Sequence, residues 1–548
     1  MGDRRQLRGE ARRHRDRDGR HDRLARPAAG RKAAAALAAD VASHQARRRA
    51  LERQQRALAH GAVGLGVAVR LDDPRTLPPP SRVAAALRGR LALRAVTVRR
   101  RGSQVARYDV LILGGGASGC ALAGRLSENH DRSVCLVEAG PDYGHLSEGR
   151  WPADILDPRW LALESHLWER ADEEDRSQAR ARVLGGCSAH NACVILEGAP
   201  ADYEWGAGWS YESFAPYLKR AAETLQTHVL PDDELTPWHR AFRQAGGDDS
   251  IVHPVNIVDG VRWHSGFAYV DPARGRGNLT ILADTLVDRV LLEDGRAVGA
   301  LADGRELQAA VVVVSASAYG SPAILLRSGI GPEGDVAQLP VGEGLVDHVG
   351  VGAAWEPTER LVAETSAHEA EHGLYMGQVT VAARSRSCPP GTRDVFVFPA
   401  LDIGPEISGA AFAMKPRSRG SVRLTAPEPE APLAIDHGFL CDERDTEVLV
   451  EAFERLRDLA ESDEVRPYRG AELRPGAEIG AEEHVRATAR GFFHPVGTCA
   501  IGSVLDERCR VLGFENLYVV DASAIPEIPS ANTNLTTVAL AERASEWL

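Results

Sequence analysis

A short apolar run that ends in a glycine-rich turn, at residues 108–119, most constrains the fold of this 548-residue chain. The letters YDVLILGGGASG indicate a buried strand that enters a G-x-G-x-x-G turn and opens a helix near Ala117. A second apolar strand, at 134–137, ends at Glu138. Strand, glycine turn, helix, strand and acid together make up the dinucleotide-binding unit of parallel α/β sheets. The sequence therefore predicts an α/β fold with a Rossmann-like domain.

The residues of this unit have separate roles in holding a dinucleotide. Gly114 permits the tight turn, Gly116 lets backbone N–H groups approach a pyrophosphate, and Gly119 lets the helix pack on the strand. The positive end of the helix dipole, where Ser118 lies, attracts the phosphates, and Glu138 accepts a hydrogen bond from a ribose hydroxyl. Glycine turns alone have structural uses, but the two strands and the acid favour a bound dinucleotide.

Size and composition favour a globular protein over a membrane or disulfide-rich one. A chain of this length exceeds one simple core, so we expect two or more domains. No apolar run reaches the roughly 18 residues that cross a membrane, so we expect no membrane partner. The eight cysteines include no C-x-x-C pair, which favours reduced thiols and a cytoplasmic location over a disulfide scaffold or a zinc site.

Residues 1–104 differ from the rest of the chain in charge. They hold 26 Arg and Lys against 9 Asp and Glu, although the whole chain has a net charge of −12. This segment contains no nucleic-acid-binding motif and no interleaved aromatic residues, so we expect no nucleic-acid partner. We interpret it as a disordered extension or a misassigned start, with the working protein beginning near Val105.

Further elements follow from apolar patterning. Residues 311–314 are a continuous apolar run, which suits a buried parallel strand. The run at 321–326 has proline at its second position and predicts a helix that begins there. Residues 443–460 have the periodicity of an amphipathic helix.

Eight sequence blocks, in order along the chain, resemble those of the glucose–methanol–choline (GMC) flavin oxidoreductase family. The resemblance covers essentially all of 105–548, and any one block alone would be weak evidence. The blocks are 114–119 with 138–140, 182–191, 321–331, 347–348, 418–422, 494–498, 520–523 and 529–534.

The resemblance implies FAD as the cofactor and a fold of two parts. The first is a discontinuous FAD-binding domain at 105–200, 272–345 and 492–548. The second is an α+β substrate domain at 201–271 and 346–491, built on a mixed or antiparallel sheet.

The resemblance also implies the reaction, oxidation of a small-molecule alcohol to an aldehyde or ketone by hydride transfer to flavin N5. His494 matches the catalytic base, because a histidine can hold the hydroxyl proton near neutral pH. Asn532 matches the second polar residue of the active-site pair. The reduced flavin would return its electrons to O2 or to another acceptor. A non-redox or photochemical lyase or decarboxylase is the alternative, and a homodimer is left open.

Several further residues match cofactor-binding positions of the family. Asp521 lies at a strand end, like the acid that fixes the ribityl–phosphate part of FAD, and Val287 matches a backbone contact to adenine. Without the resemblance, Asp521 would be interpreted as an acid at the end of a strand and Val287 as a core residue. The remaining matches are Gly186, Asn191, Ala522 and Asn534, the last of which is also a candidate helix cap.

The run at 185–191 resembles choline oxidase-like members, in which the histidine at the place of His190 carries the flavin covalently. Noncovalent FAD beside His190 is the alternative. One departure concerns the substrate, because residues 349–352 contain no acid where those members have a glutamate. A quaternary ammonium substrate is therefore not expected.

Overall fold

A computed structural model describes residues 107–168, 178–206, 208–400 and 406–548. The basic segment at 1–104 lies outside the described residues, so its interpretation stays a prediction. Strands and helices are both well represented, and the fold is mixed α/β, as the sequence predicts. No helix of the described part has the length and apolarity needed to cross a membrane.

The strands of the described residues are numbered in chain order. They are β1 (Arg107–Leu113), β2 (Val134–Val137), β3 (His228–Val229), β4 (Ser250–Val252), β5 (Pro254–Val255), β6 (Ile257–Val258), β7 (Val261–Arg262), β8 (Leu279–Leu282), β9 (Val287–Glu293), β10 (Arg296–Ala302), β11 (Arg305–Val314), β12 (Ile330–Gly331), β13 (Ala337–Gln338), β14 (Glu343–Leu345), β15 (Val349–Pro357), β16 (Val379–Ala383), β17 (Val395–Ala400), β18 (Ile407–Ala413), β19 (Gly420–Leu424), β20 (Leu433–Asp436), β21 (Arg469–Arg474), β22 (Arg490–Gly491) and β23 (Leu517–Val519).

The α-helices of the described residues lie between these strands and at the end of the chain. They are α1 (Ala117–Leu126), α2 (Ala153–Leu156), α3 (Tyr211–Thr224), α4 (Pro237–Gly246), α5 (Ser317–Arg327), α6 (Glu359–Glu371), α7 (Glu443–Ala460), α8 (Ala481–Thr488) and α9 (Thr533–Ala544).

The first large sheet has the strand order β8-β2-β1-β11-β10-β9, and β23 also pairs with β11. The pairs among β8, β2, β1, β11 and β23 are parallel, whereas β9 and β10 form an antiparallel hairpin that joins the edge of β11. Residues 110–113 of β1 are at most 2% exposed, because the strand is covered on both faces. The predicted strands at 108–113 and 311–314 are therefore confirmed. Since parallel strands end at one edge, the residues after β1, β2, β11 and β23 meet there.

The second large sheet is antiparallel, with the order β21-β15-β18-β17-β16-β4 and β22 on β15. Helix α7 covers one face of it with the buried side chains of Leu449, Phe453 and Leu456. Leu456 lies so close to Gly409 of β18 that a Cβ there would be 2.8 Å from its Cδ1. Helix α7 has the bounds that the amphipathic pattern predicts.

Helix α5 begins earlier than the sequence predicts, at Ser317 rather than beside Pro322. Polar side chains hold the backbone N–H groups at this end: Asp521 accepts from Ser317, and the Ser321 hydroxyl accepts from Ala316. Pro322 consequently lies inside the helix, where it cannot donate to the carbonyl of Ala318. The hydroxyl of Thr498 donates to that carbonyl instead, at 2.7 Å.

Candidate active site

The glycine turn lies at the carboxyl edge of the parallel sheet and leaves space at one of its three glycines. Gly114 has φ +113°, and a Cβ there would overlap the backbone of Ser315. A Cβ on Gly119 would overlap the carbonyl oxygen of Gly114, which explains the close packing of helix on strand. A Cβ on Gly116, by contrast, would meet no atom within 4 Å. The backbone at Gly116 is thus open to an approaching group.

Helix α1 begins at this opening without a side-chain cap. Gly116 is its N-cap residue, and its first turn contains no acidic residue. The hydroxyl of Ser118 donates to Val520 and lies 2.8 Å from the Ser315 hydroxyl, so it points into the protein. Free N–H groups and the positive end of the helix dipole therefore make this end suitable for an anion.

Two buried carboxylates flank the turn and are fixed by hydrogen bonds. Glu138 accepts from the backbone N–H groups of Gly115 and Gly140, both at 2.8 Å. Burial raises its pKa to about 7. Asp521 accepts from the backbone N–H of Ser317 and from the hydroxyls of Ser321 and Ser523. Burial also raises the pKa of Asp521.

A single cavity of about 370 Å³ extends along this edge and joins nearly all the predicted site residues. Of those residues, only Gly119 does not line it, in keeping with its predicted packing role. The predicted residues that line the cavity are Gly114, Gly116, Ser118, Glu138, Gly186, His190, Asn191, Val287, His494, Asp521, Ala522, Asn532 and Asn534.

His494 and Asn532 meet in this cavity. The Nε2 atom of His494 lies 3.2 Å from the amide nitrogen of Asn532, the residue that precedes α9. The backbone N–H of His494 donates to Asp347 at 2.9 Å. Phe493 adopts a left-handed conformation, with φ +65°, immediately before His494. This uncommon turn of the backbone is held where the histidine enters the cavity.

A chain of hydrogen bonds sets the tautomer of His494. His348 lies with Nε2 2.9 Å from the carbonyl oxygen of Pro529, and since a carbonyl only accepts, this nitrogen carries the hydrogen. Burial lowers the pKa of His348 to about 3, so the ring is neutral and its Nδ1 is an acceptor. His494 Nδ1, 3.0 Å away, must therefore be the donor.

The Nε2 atom of His494 is consequently left with a lone pair. Burial lowers the pKa of His494 well below its ordinary value, and the nearby His348 and Arg180 lower it further. The neutral ring accepts at Nε2 from the amide of Asn532. Asp347, His348 and His494 also offer ligand atoms within 4.8 Å of one another, but the two Nδ1 atoms are hydrogen-bonded together. The grouping acts as a hydrogen-bond relay.

Two polar side chains in the cavity have buried atoms without a hydrogen-bond partner in the part of the chain that the structure describes. His190 is 4% exposed, and neither ring nitrogen has a partner. Burial lowers its pKa to about 4, so the ring is neutral. The amide nitrogen of Asn534 is likewise without a partner among the described residues; Asn534 is not the helix cap, since it lies in the first turn of α9, whose N-cap residue is Asn532. Groups of this kind are suited to a bound ligand.

These observations fit a dinucleotide cofactor. The open backbone at Gly116, the uncapped helix end, the carboxylates of Glu138 and Asp521 and the unpartnered nitrogens of His190 face one cavity. The loop that contains Gly186 packs closely against the glycine turn, since a Cβ on Gly186 would be only 2.7 Å from the Cα of Gly116. The cavity thus connects a phosphate-binding end with the histidine–asparagine pair.

Sequence reasoning missed three residues of this site. Asp347 and His348 were placed in a motif but were given no role. Their contacts with His494, which is 146 residues beyond His348, appear only in the fold. Arg180 lines the cavity with its guanidinium 4.6 Å from the ring centre of Tyr319. Nothing in the sequence marks it out from the many other arginines.

Comparison with known proteins agrees with this site. The chain matches the GMC oxidoreductase N-terminal domain at residues 108–350 and the C-terminal domain at residues 416–541. It is 31% identical over 536 residues to mitochondrial choline dehydrogenase of Mus musculus, with 80% of this chain and 89% of that protein covered. It is 29% identical to ecdysone oxidase of Spodoptera littoralis, with 81% and 91% covered.

A solved structure has the same fold. The crystal structure of pyridoxine 4-oxidase from Mesorbium loti matches with a TM-score of 0.71 and 27% identity, over 80% of this chain and 99% of that chain.

Proposed function

This chain belongs to the GMC oxidoreductase family, and we propose that His494 and Asn532 carry the proton chemistry of its reaction. It is an FAD-dependent oxidoreductase that acts on the CH–OH group of a small-molecule alcohol. When bound, FAD supplies the acceptor for the hydride that leaves the carbon. No observation favours a lyase or a photochemical reaction.

His494 accepts the hydroxyl proton at Nε2 in this proposal. The observation that carries it is the lone pair on this atom, which the relay from Pro529 through His348 fixes. In the structure an N–H of the Asn532 amide occupies this lone pair. When an alcohol binds, its hydroxyl replaces that N–H at Nε2, and the amide donates to the substrate oxygen instead. Because the lone pair of a carboxamide nitrogen is delocalised and not basic, Asn532 orients the oxygen without competing as a base.

Arg180 supports the same step by its charge. After burial and His348, its positive charge is a further cause of the lowered pKa of His494, and it opposes the rise that burial causes in the pKa of Asp347. The guanidinium lines the cavity, where its field is screened less than in water. Such a charge stabilises the alkoxide that develops on the substrate.

The cofactor is held by the glycine turn, the two carboxylates and the loop of His190. We propose that His190 carries FAD covalently, because its neutral ring lines the cavity and its two buried nitrogens have no hydrogen-bond partner among the described residues. We also assign the segments 105–200, 272–345 and 492–548 to the cofactor domain. In support, β1, β2, β8, β9, β10, β11 and β23, which form the first sheet, all lie in them.

The segments 201–271 and 346–491 provide the substrate domain, since they contain all strands of the second sheet. The eight cysteines are free thiols, which supports a reducing, cytoplasmic setting. The electron acceptor is O2 or another oxidant.

Two substitutions test the roles of the pair. In the FAD-loaded protein, His494→Ala should slow anaerobic flavin reduction by an alcohol by about 10²–10⁴-fold. Asn532→Ala should slow it less, because the base remains. Both variants should retain flavin, measured by absorbance after gel filtration. Reduction by His494→Ala at the wild-type rate would contradict the proposal.

A further inference from the structure

We propose that the site selects an uncharged alcohol with an apolar, ring-sized body and rejects cationic alcohols. This inference rests on the proposed function, because it concerns the substrate of the same site. It separates the chain from the choline dehydrogenases that it resembles in sequence.

The wall beside the histidine–asparagine pair is apolar and partly aromatic. Phe492 lies 4.6 Å from His494 between ring centres, and Phe398 lies 6.3 Å from Phe492. Both rings belong to a hydrophobic cluster that also contains Ala192, Val194 and Ala531, the residue before Asn532. The cluster therefore surrounds the catalytic end of the cavity rather than its glycine-turn end.

Four members of this cluster line the cavity, and a methionine lies beside them. Three of the four, Ala192, Phe398 and Phe492, are only partly buried, so they present apolar surface that a ligand would cover. Met376 also lines the cavity, and its neighbour Gly377 abuts Val194 and Phe398. Covering such surface with an apolar ligand favours binding, because apolar surface is removed from water.

The charges around the cavity are unfavourable for a cation. Among the described lining residues the carboxylates are Glu138 and Asp521, and both lie at strand ends with their oxygens held by hydrogen bonds. Two arginines of the described residues also line the cavity: Arg327, which is ion-paired with Asp288 at 3.2 Å, and Arg180. Arg180 is close enough to His494 to lower its pKa. A trimethylammonium group would lose its hydration here, and the described residues beside the histidine–asparagine pair supply no carboxylate that lines the cavity to balance its charge.

Choline and its uncharged isostere 3,3-dimethylbutan-1-ol provide a matched test. Each alcohol is added to the FAD-loaded protein without oxygen. The rate constant of flavin reduction divided by the dissociation constant of the alcohol is then compared between the two. We expect the uncharged alcohol to exceed choline by at least about tenfold, since choline carries an unpaired charge into the site. Benzyl alcohol should also react better than choline.

A charged variant and its neutral control isolate the electrostatic part. Met376→Glu places a carboxylate in the wall, whereas Met376→Gln has nearly the same shape without the charge. The preference for 3,3-dimethylbutan-1-ol over choline should fall by about tenfold or more in M376E and stay nearly unchanged in M376Q.

A second pair tests the aromatic wall. Phe398→Leu should weaken binding of benzyl alcohol several-fold relative to ethanol. The control is Phe396→Leu, on the same strand β17 and in the same cluster, but not lining the cavity. It should leave the ratio unchanged, so that a general loss of packing is distinguished from loss of a substrate contact.

The outcomes separate this inference from the proposed function. If choline reduces the flavin as well as or better than its uncharged isostere, the substrate class is wrong and alcohol oxidation stands. If none of the alcohols reduces the flavin, both the proposed function and this inference fail.

Discussion

His494 is held as a neutral base, and this determines how the reaction should depend on pH. Its pKa is lowered, so the proton-accepting form prevails at neutral pH and is lost only when pH falls through that lowered pKa. We expect the rate of flavin reduction to show no inflection from His494 near pH 6.5, the usual range of histidine. Stopped-flow measurement across pH tests this.

Asp347 provides the control for the pH profile. Burial raises its pKa to about 7, and it accepts from the backbone N–H of His494. An inflection near pH 7 that belongs to this carboxyl should vanish in Asp347→Asn, which can still accept that hydrogen bond, whereas one that belongs to Glu138, whose pKa burial also raises to about 7, should vanish in Glu138→Gln. An inflection near 6.5 that persists in the Asn variant would show that His494 titrates normally.

His190 leads to a prediction that does not depend on turnover. If the flavin is bonded to the ring as proposed, denaturation and precipitation of the protein should leave the yellow colour in the pellet. His190→Ala should release the colour into the supernatant while Asn191→Ala, one residue further along the same loop, should not. Colour in the supernatant of the wild-type protein would show noncovalent binding.

The residues of the active-site pair were predictable, but their protonation was not. His494 and Asn532 follow from motifs that resemble a family. The lone pair on His494, however, depends on Pro529 and His348, which are far apart in sequence and meet only in the fold. No pattern of spacing encodes which nitrogen carries the hydrogen.

Helix α5 shows how a residue distant in sequence can satisfy a backbone group inside an element. Thr498→Val removes the hydroxyl that serves the Ala318 carbonyl opposite Pro322. We expect the free energy of unfolding to fall by about 1–3 kcal/mol, the cost of a buried carbonyl left without a hydrogen-bond partner. Thr498→Ser keeps the hydroxyl and should lose much less. Denaturant unfolding followed by circular dichroism measures both, and equal stability of the two variants would contradict this role of the hydroxyl.

Elements with strong apolar patterns were predicted well, and their ends less well. The strands β1 and β11 and the helix α7 follow from local patterning, because burial on two faces or on one stripe determines them. The start of α5 was predicted at its proline. That prediction was wrong because Asp521, about 200 residues away, holds the backbone N–H of Ser317.

At the scale of the whole molecule, the C-terminal part of the chain contributes a strand to the same sheet as β1. Strand β23 pairs with β11 and brings Asp521 to the edge where β1 and β2 also end. The sequence alone predicts the first dinucleotide unit, whereas the discontinuous arrangement came from the resemblance. Pairing between such distant segments leaves no local signal in either of them. The interpretation of residues 1–104 stays a prediction.

The molecule as a whole is expected to remove hydride from the carbon of an alcohol while His494 takes the hydroxyl proton. This is best measured as single-turnover loss of flavin absorbance without oxygen, with benzyl alcohol that carries hydrogen or deuterium on the reacting carbon. We predict loss of the oxidised flavin spectrum, slower with deuterium, and its return in air if O2 is the acceptor. An oxidised spectrum that no alcohol changes, or a reduction rate that deuterium leaves unaltered, would contradict this chemistry.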